Sequence, residues 1–84
     1  MSLEEFFKKY CIYLFNQDQI PSFRINKFNQ FEYTQIQHGI ITTKVLSTSF
    51  IRNLNGRKLP EFIIFNGLEY TVDVSDYYLK LILI

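Results

Sequence analysis

Apolar residues at Leu3, Phe6, Phe7, Tyr10, Cys11 and Leu14 recur at the i, i+3, i+4, i+7 spacing of a helix with one buried stripe. Ser2 and Glu5 stand at the S-x-x-E spacing of a capping box, and Glu4/Lys8 and Glu5/Lys9 are i, i+4 pairs in the favourable orientation. The pattern predicts an amphipathic N-terminal helix. Asn16 through Pro21 reads as its end and a loop.

Beyond Pro21 the helical period disappears. Apolar runs near Phe23 to Phe28, Phe31 to Gln37 and Ile40 to Leu46 are separated by the polar breaks Asn29-Gln30 and His38-Gly39, the spacing of a β-meander. Two-residue turns would set Phe28 against Phe31 in the first hairpin and Gln37 against Ile40 in the second. One sheet face then carries Arg24, Asn26, Phe28, Phe31, Tyr33, Gln35, Gln37, Ile40, Thr42 and Lys44. The other carries Phe23, Ile25, Lys27, Glu32, Thr34, Ile36, Ile41, Thr43 and Val45, and its β-branched side chains are expected to lie on the helix. A slip of one residue would exchange the two faces.

Ser47-Thr48-Ser49 ahead of Phe50, Ile51 and Leu54, with Asn55-Gly56 behind, predicts a short second helix with an N-cap and a C-terminal glycine. The strongest strand signal follows. In Phe62-Ile63-Ile64-Phe65-Asn66-Gly67-Leu68-Glu69-Tyr70-Thr71-Val72, the Asn-Gly pair supplies the positive φ angles of a type I′ turn and sets Phe65 opposite Leu68 and Ile63 opposite Tyr70. Ser75-Asp76 breaks the run, and Tyr77 to Ile84 reads as a strand rather than a short helix, since Tyr and Ile favour strands. The expectation is one α+β domain over residues 1–84: an N-terminal amphipathic helix packed on a mainly antiparallel sheet of five or six strands, with a short helix between the meander and the Asn-Gly hairpin.

Composition supports a folded chain with a thin core. Nearly half of the 84 residues are apolar, and nine Phe and six Tyr supply bulk. The formal charge of +1 steers neither polyanions nor polycations. Its distribution is uneven, because Arg24, Lys27, Lys44, Arg52, Arg57 and Lys58 meet only Glu32 between positions 24 and 58, whereas the stretch from Glu61 to Asp76 holds the four acids Glu61, Glu69, Asp73 and Asp76 and no base. The absence of alanine and the abundance of Ile, Asn, Phe, Lys and Tyr point to a low-GC genome, such as that of a virus or phage.

Candidate chemistry is sparse. A single Cys11 and a single His38 allow no intramolecular disulfide and no cysteine-built zinc site, so no metal or cofactor is expected. Cys11 falls on the apolar stripe, where a thiol resists ionisation, and His38 reads as a turn residue. Ser47, Thr48 and Ser49 read as a cap, and Asp73 and Asp76 as solvated carboxylates at a strand end. No phosphate-binding glycine loop or nucleophile elbow occurs. Met1-Ser2-Leu3-Glu4-Glu5 lacks the basic start of a secretory signal and no run is long enough to span a bilayer, so a reducing cytoplasm and no membrane contact are expected.

These absences favour a non-enzymatic interaction protein, such as a small viral or phage accessory or inhibitory factor that binds a larger host protein. The candidate contact residues are Arg24, Phe28, Phe31, Tyr33, Lys44, Arg52, Arg57 and Lys58. On the register above Arg24, Phe28, Phe31, Tyr33 and Lys44 share an aromatic, basic sheet face, to which the loop Arg52 to Lys58 would add backbone contacts; that face suits a packing layer, a protein interface, or a single-stranded nucleic acid stacked on rings between cations. The apolar C-terminal third exceeds what one short helix covers, and its last strand ends on an open edge. Both features favour dimerisation through the C-terminal β segment or strand addition by a partner.

Overall fold

The computed structural model describes residues 1–14, 19 and 21–84. Helix α1 spans Leu3–Tyr10 with Ser2 as N-cap, its hydroxyl accepting the Glu5 N–H at 3.1 Å. Lys8 pairs with Glu4 at 3.0 Å. The helix ends at Cys11, ahead of a short 3-10 turn at Ile12–Leu14. The loop expected over Asn16 to Pro21 falls largely outside the described residues. Helix α2 spans Thr48–Asn55, and Ser47 caps it by accepting the Phe50 N–H at 3.3 Å.

The strands form two three-stranded antiparallel sheets rather than one sheet of five or six. The first holds β1 (Phe23–Ile25), β2 (Phe31–Gln37) and β3 (Ile40–Lys44); the second holds β4 (Phe62–Phe65), β5 (Leu68–Val74) and β6 (Leu79–Leu83). Each is a meander, and α2 connects them. His38 and Gly39 take φ of 52° and 77°, and Asn66 and Gly67 take 52° and 75°. These are the angles a type I′ turn needs, so the registers Gln37↔Ile40 and Phe65↔Leu68 are as expected.

The first hairpin departs from expectation. Its register is Ile25↔Phe31, Arg24↔Glu32 and Phe23↔Tyr33, not Phe28↔Phe31. The Asn26 side-chain oxygen accepts the N–H groups of Phe28 and Gln30 at 2.9 and 3.1 Å, and Asn29 sits at φ 63°. Lys27, Phe28 and Asn29 thereby form a three-residue loop with a type I turn and a left-handed last residue. The register shift is odd, so β1 turns over relative to β2. Phe23 and Ile25 join Phe31 and Tyr33 on one face, and that more apolar face, not the β-branched one, lies on α1.

One core results, built from α1, β2, α2, β4, β6, Cys11 and Leu46. Phe7 lies at its centre, with ring centroids 4.9 Å from Tyr33, 5.1 Å from Phe23 and 6.3 Å from Phe31. Two backbone bonds tie the sheets to their surroundings. Ile64 N–H donates to the Met1 carbonyl at 2.9 Å, and Leu81 N–H donates to the Asn29 carbonyl at 2.7 Å. No helix among the described residues is long and apolar enough to cross a membrane.

Candidate interaction surfaces

The eight residues singled out from the sequence do not share a face. Phe31 and Tyr33 are 2% and 4% exposed, so their rings are core and are closed to a partner. Arg24 points from the opposite side of the sheet and is bound to Glu32 at 2.5 Å, and that hydrogen bond holds the Glu32 carboxyl below its usual range. Phe28 is exposed at the tip of the first hairpin, with Lys27 Nζ 5.1 Å from its ring centroid. Lys44 is exposed at the end of β3. Arg52 leaves α2 toward the β5–β6 turn, 6.0 Å from the Tyr77 ring.

Arg57 and Lys58 do come together, around a residue that sequence reading assigned only to the helix stripe. The Tyr10 hydroxyl donates to the Lys58 carbonyl at 3.1 Å, while Arg57 Cζ and Lys9 Nζ lie 4.8 and 5.4 Å from the Tyr10 ring centroid. Both cations are drawn to the ring by its quadrupole. Each cation repels the other, so the cluster gains from an approaching anion. The i, i+4 spacing had assigned Lys9 to Glu5 instead; a cation next to a helix-end tyrosine was the one signal available for the cluster.

Among the described residues, two apolar surfaces remain uncovered. On the second sheet the rows Phe62↔Thr71↔Ile82 and Ile64↔Glu69 face away from the core. Phe62 is 44% and Ile64 51% exposed, and Ile82 is also exposed. The inward row of the same strands, Ile63, Leu79 and Leu81, is buried. The two-sided apolar pattern of the Asn-Gly hairpin thus has a layer on one side only. On the first sheet, Ile36 and Ile41 are cross-strand neighbours and both are exposed.

The reactive side chains stay apart. Cys11 is fully buried, and burial pushes its thiol up to about 12 against a smaller opposing pull from Arg57. At that value it is held as the thiol, not the nucleophilic thiolate. Among the described residues no group of three His, Cys, Asp or Glu side chains converges as metal ligands do. A shallow open depression is lined by Arg24, Ile25, Asn26, Lys27, Phe28 and Glu32. These surfaces lie on a small α+β scaffold. No protein-family model matches the chain, and no curated protein or solved structure matches it.

Proposed function

We propose that this chain is a non-catalytic interaction protein that binds a larger protein through the outer face of its C-terminal sheet. The observation that carries this reading is the row of Phe62, Ile64 and Ile82, large apolar side chains facing water on a rigid three-stranded sheet. A domain with a thin core gains nothing from apolar groups on its outside unless something covers them, and protein interfaces are built as such an apolar centre with a polar rim. The same outer face carries Glu69 opposite Ile64 and Asp73 opposite Lys80, so the polar rim around the apolar row holds charges of both signs.

The low-GC composition suits a viral or phage accessory factor acting in the host cytoplasm, where occupying a functional surface of the partner is enough to inhibit or redirect it. The test is affinity capture from lysate of a low-GC bacterial host, run side by side with wild type, Ile64→Lys and Ile82→Lys. The expected result is a protein retained by wild type and lost from both variants while their thermal midpoints stay the same. Equal retention by all three would remove the reading, as would no retention by wild type.

Single-stranded nucleic acid binding stands second. Lys9, Arg57 and Lys58 favour it as phosphate contacts, but a stacking platform needs open rings, and Phe31 and Tyr33 are inside. Salt-sensitive binding of an oligothymidylate by wild type, lost in Arg57→Gln, would bring it forward; no shift at low salt would end it.

A further inference from the structure

We infer that the β3 edge pairs with the β3 edge of a second copy of this chain, antiparallel about a two-fold axis at Thr42. This inference uses a different surface from the one proposed above and does not depend on it. Among the described residues β3 is bonded to β2 alone. The two-residue turn makes Gln37–Ile40 a hydrogen-bonded pair, and alternation then commits the backbone groups of Ile40, Thr42 and Lys44 to β2. The N–H and C=O groups of Ile41 and Thr43 point away from the sheet, and among the described residues no other segment bonds them. The other long edges differ. β4 is met by Met1 through Ile64, and β6, the edge at the C-terminal segment, is met by Asn29 through Leu81.

The side chains on this edge favour pairing. Ile40 is 64% and Ile41 69% exposed. Natural edges are protected by Pro, bulges or inward charges, and Ile40-Ile41-Thr42-Thr43 has none of these; its one charge, Lys44, lies at the end. That charge selects the direction. In antiparallel pairing about Thr42 each Lys44 lies opposite Ile40 of the copy. The two ammonium-bearing residues are then about 13 Å apart along the strands, beyond the roughly 8 Å screening length of physiological salt. Parallel pairing would set them side by side. The paired sheets would place Ile41 against Thr43 of the copy and merge the two exposed Ile36–Ile41 pairs into one outer face.

The experiment is light scattering coupled to size exclusion on the full chain from micromolar to millimolar concentration, with the fold of each variant checked by circular dichroism. Wild type is expected to move from 10.1 kDa toward twice that mass. Ile41→Lys, which charges the edge, is expected to stay monomeric throughout. Thr42→Cys gives a readout that does not depend on affinity. On the axis the two introduced thiols face each other in a non-hydrogen-bonded pair with Cα atoms about 4.5 Å apart, within disulfide reach. Mild oxidation should therefore yield a covalent dimer, which Asp73→Cys, exposed on the other sheet, should not. The buried Cys11 does not compete. Wild type that is monomeric at every concentration overturns the inference. So does a dimer that Ile41→Lys leaves intact, or one that Ile82→Lys disrupts, or a Thr42→Cys protein that fails to cross-link.

Discussion

The carbonyl of Asn29 accepts the Leu81 N–H at 2.7 Å, and Asn29 does so from the left-handed backbone region at φ 63°. One residue therefore closes the first hairpin loop in a left-handed conformation and fastens the second sheet to it. Side chains other than Gly, Asn and Asp resist this conformation by roughly 1–2 kcal/mol. Asn29→Gly is expected to leave stability unchanged within about 0.5 kcal/mol, and Asn29→Val to lose about 2 kcal/mol, both read from urea denaturation. Equal behaviour of the two would show that the left-handed loop residue is not required.

The three rings around Phe7 give the second prediction. Phe7→Ala empties the centre of the core and is expected to cost about 3–5 kcal/mol, a large share of the roughly 4–13 kcal/mol available to a chain of this size. Phe7→Leu keeps most of the volume and should cost about 1 kcal/mol. Phe28→Ala removes an equally large ring from the exposed hairpin tip and should change stability by no more than about 0.5 kcal/mol. Denaturation midpoints of the three variants check this order. A Phe28→Ala loss as large as that of Phe7→Ala would mean that Phe28 packs into the core rather than standing open at the hairpin tip.

How much of this was legible in the sequence follows from the turns. His38-Gly39 and Asn66-Gly67 have the residue types that positive φ demands, so two of the hairpin registers follow from sequence. Ser2 and Ser47 cap the two helices as their spacing predicts. The first hairpin was not legible, because Asn29-Gln30 resembles a two-residue turn and only the Asn26 side chain, bonding Phe28 and Gln30, makes the loop three residues long. That single local bond pattern turned β1 over and put Phe31 and Tyr33 in the core. The division into two sheets was hidden for a different reason: strand periodicity fixes what each strand faces, and not which strands share a ladder.

Cys11 sets a pH dependence. Burial raises its thiol from 9.0 to about 12 in the folded chain, so above about pH 9 the unfolded chain releases a proton that the folded chain keeps. The unfolded state then binds fewer protons, and stability falls as pH rises across that window. Tyr33, raised above 10.0 chiefly by burial, acts in the same direction toward the upper end. Urea midpoints of wild type and Cys11→Ala at about pH 8 and about pH 10.5 test the linkage. Cys11→Ala should begin less stable, because of the cavity, and lose less on going to the higher pH. Parallel losses would mean that the thiol is not titrating out of a buried position.

Leu81 and Ile82 are neighbours in β6 that face opposite ways, and they provide the sharpest test of which side of the second sheet is open. Leu81 is fully buried and stands opposite Val72, while Ile82 stands opposite Thr71 on the outer face. Leu81→Ala is expected to cost about 2–5 kcal/mol through lost transfer energy and the cavity left behind. Ile82→Ala loses contacts only with half-exposed neighbours and should cost at most about 1 kcal/mol, and Ile82→Lys should fold, because the lysine stem can lie along the sheet with its ammonium in water. Denaturation of the three variants under one set of conditions separates the faces. Similar losses at Leu81 and Ile82 would mean that the outer face is covered within the chain itself, and with that the surface offered to a partner would no longer exist.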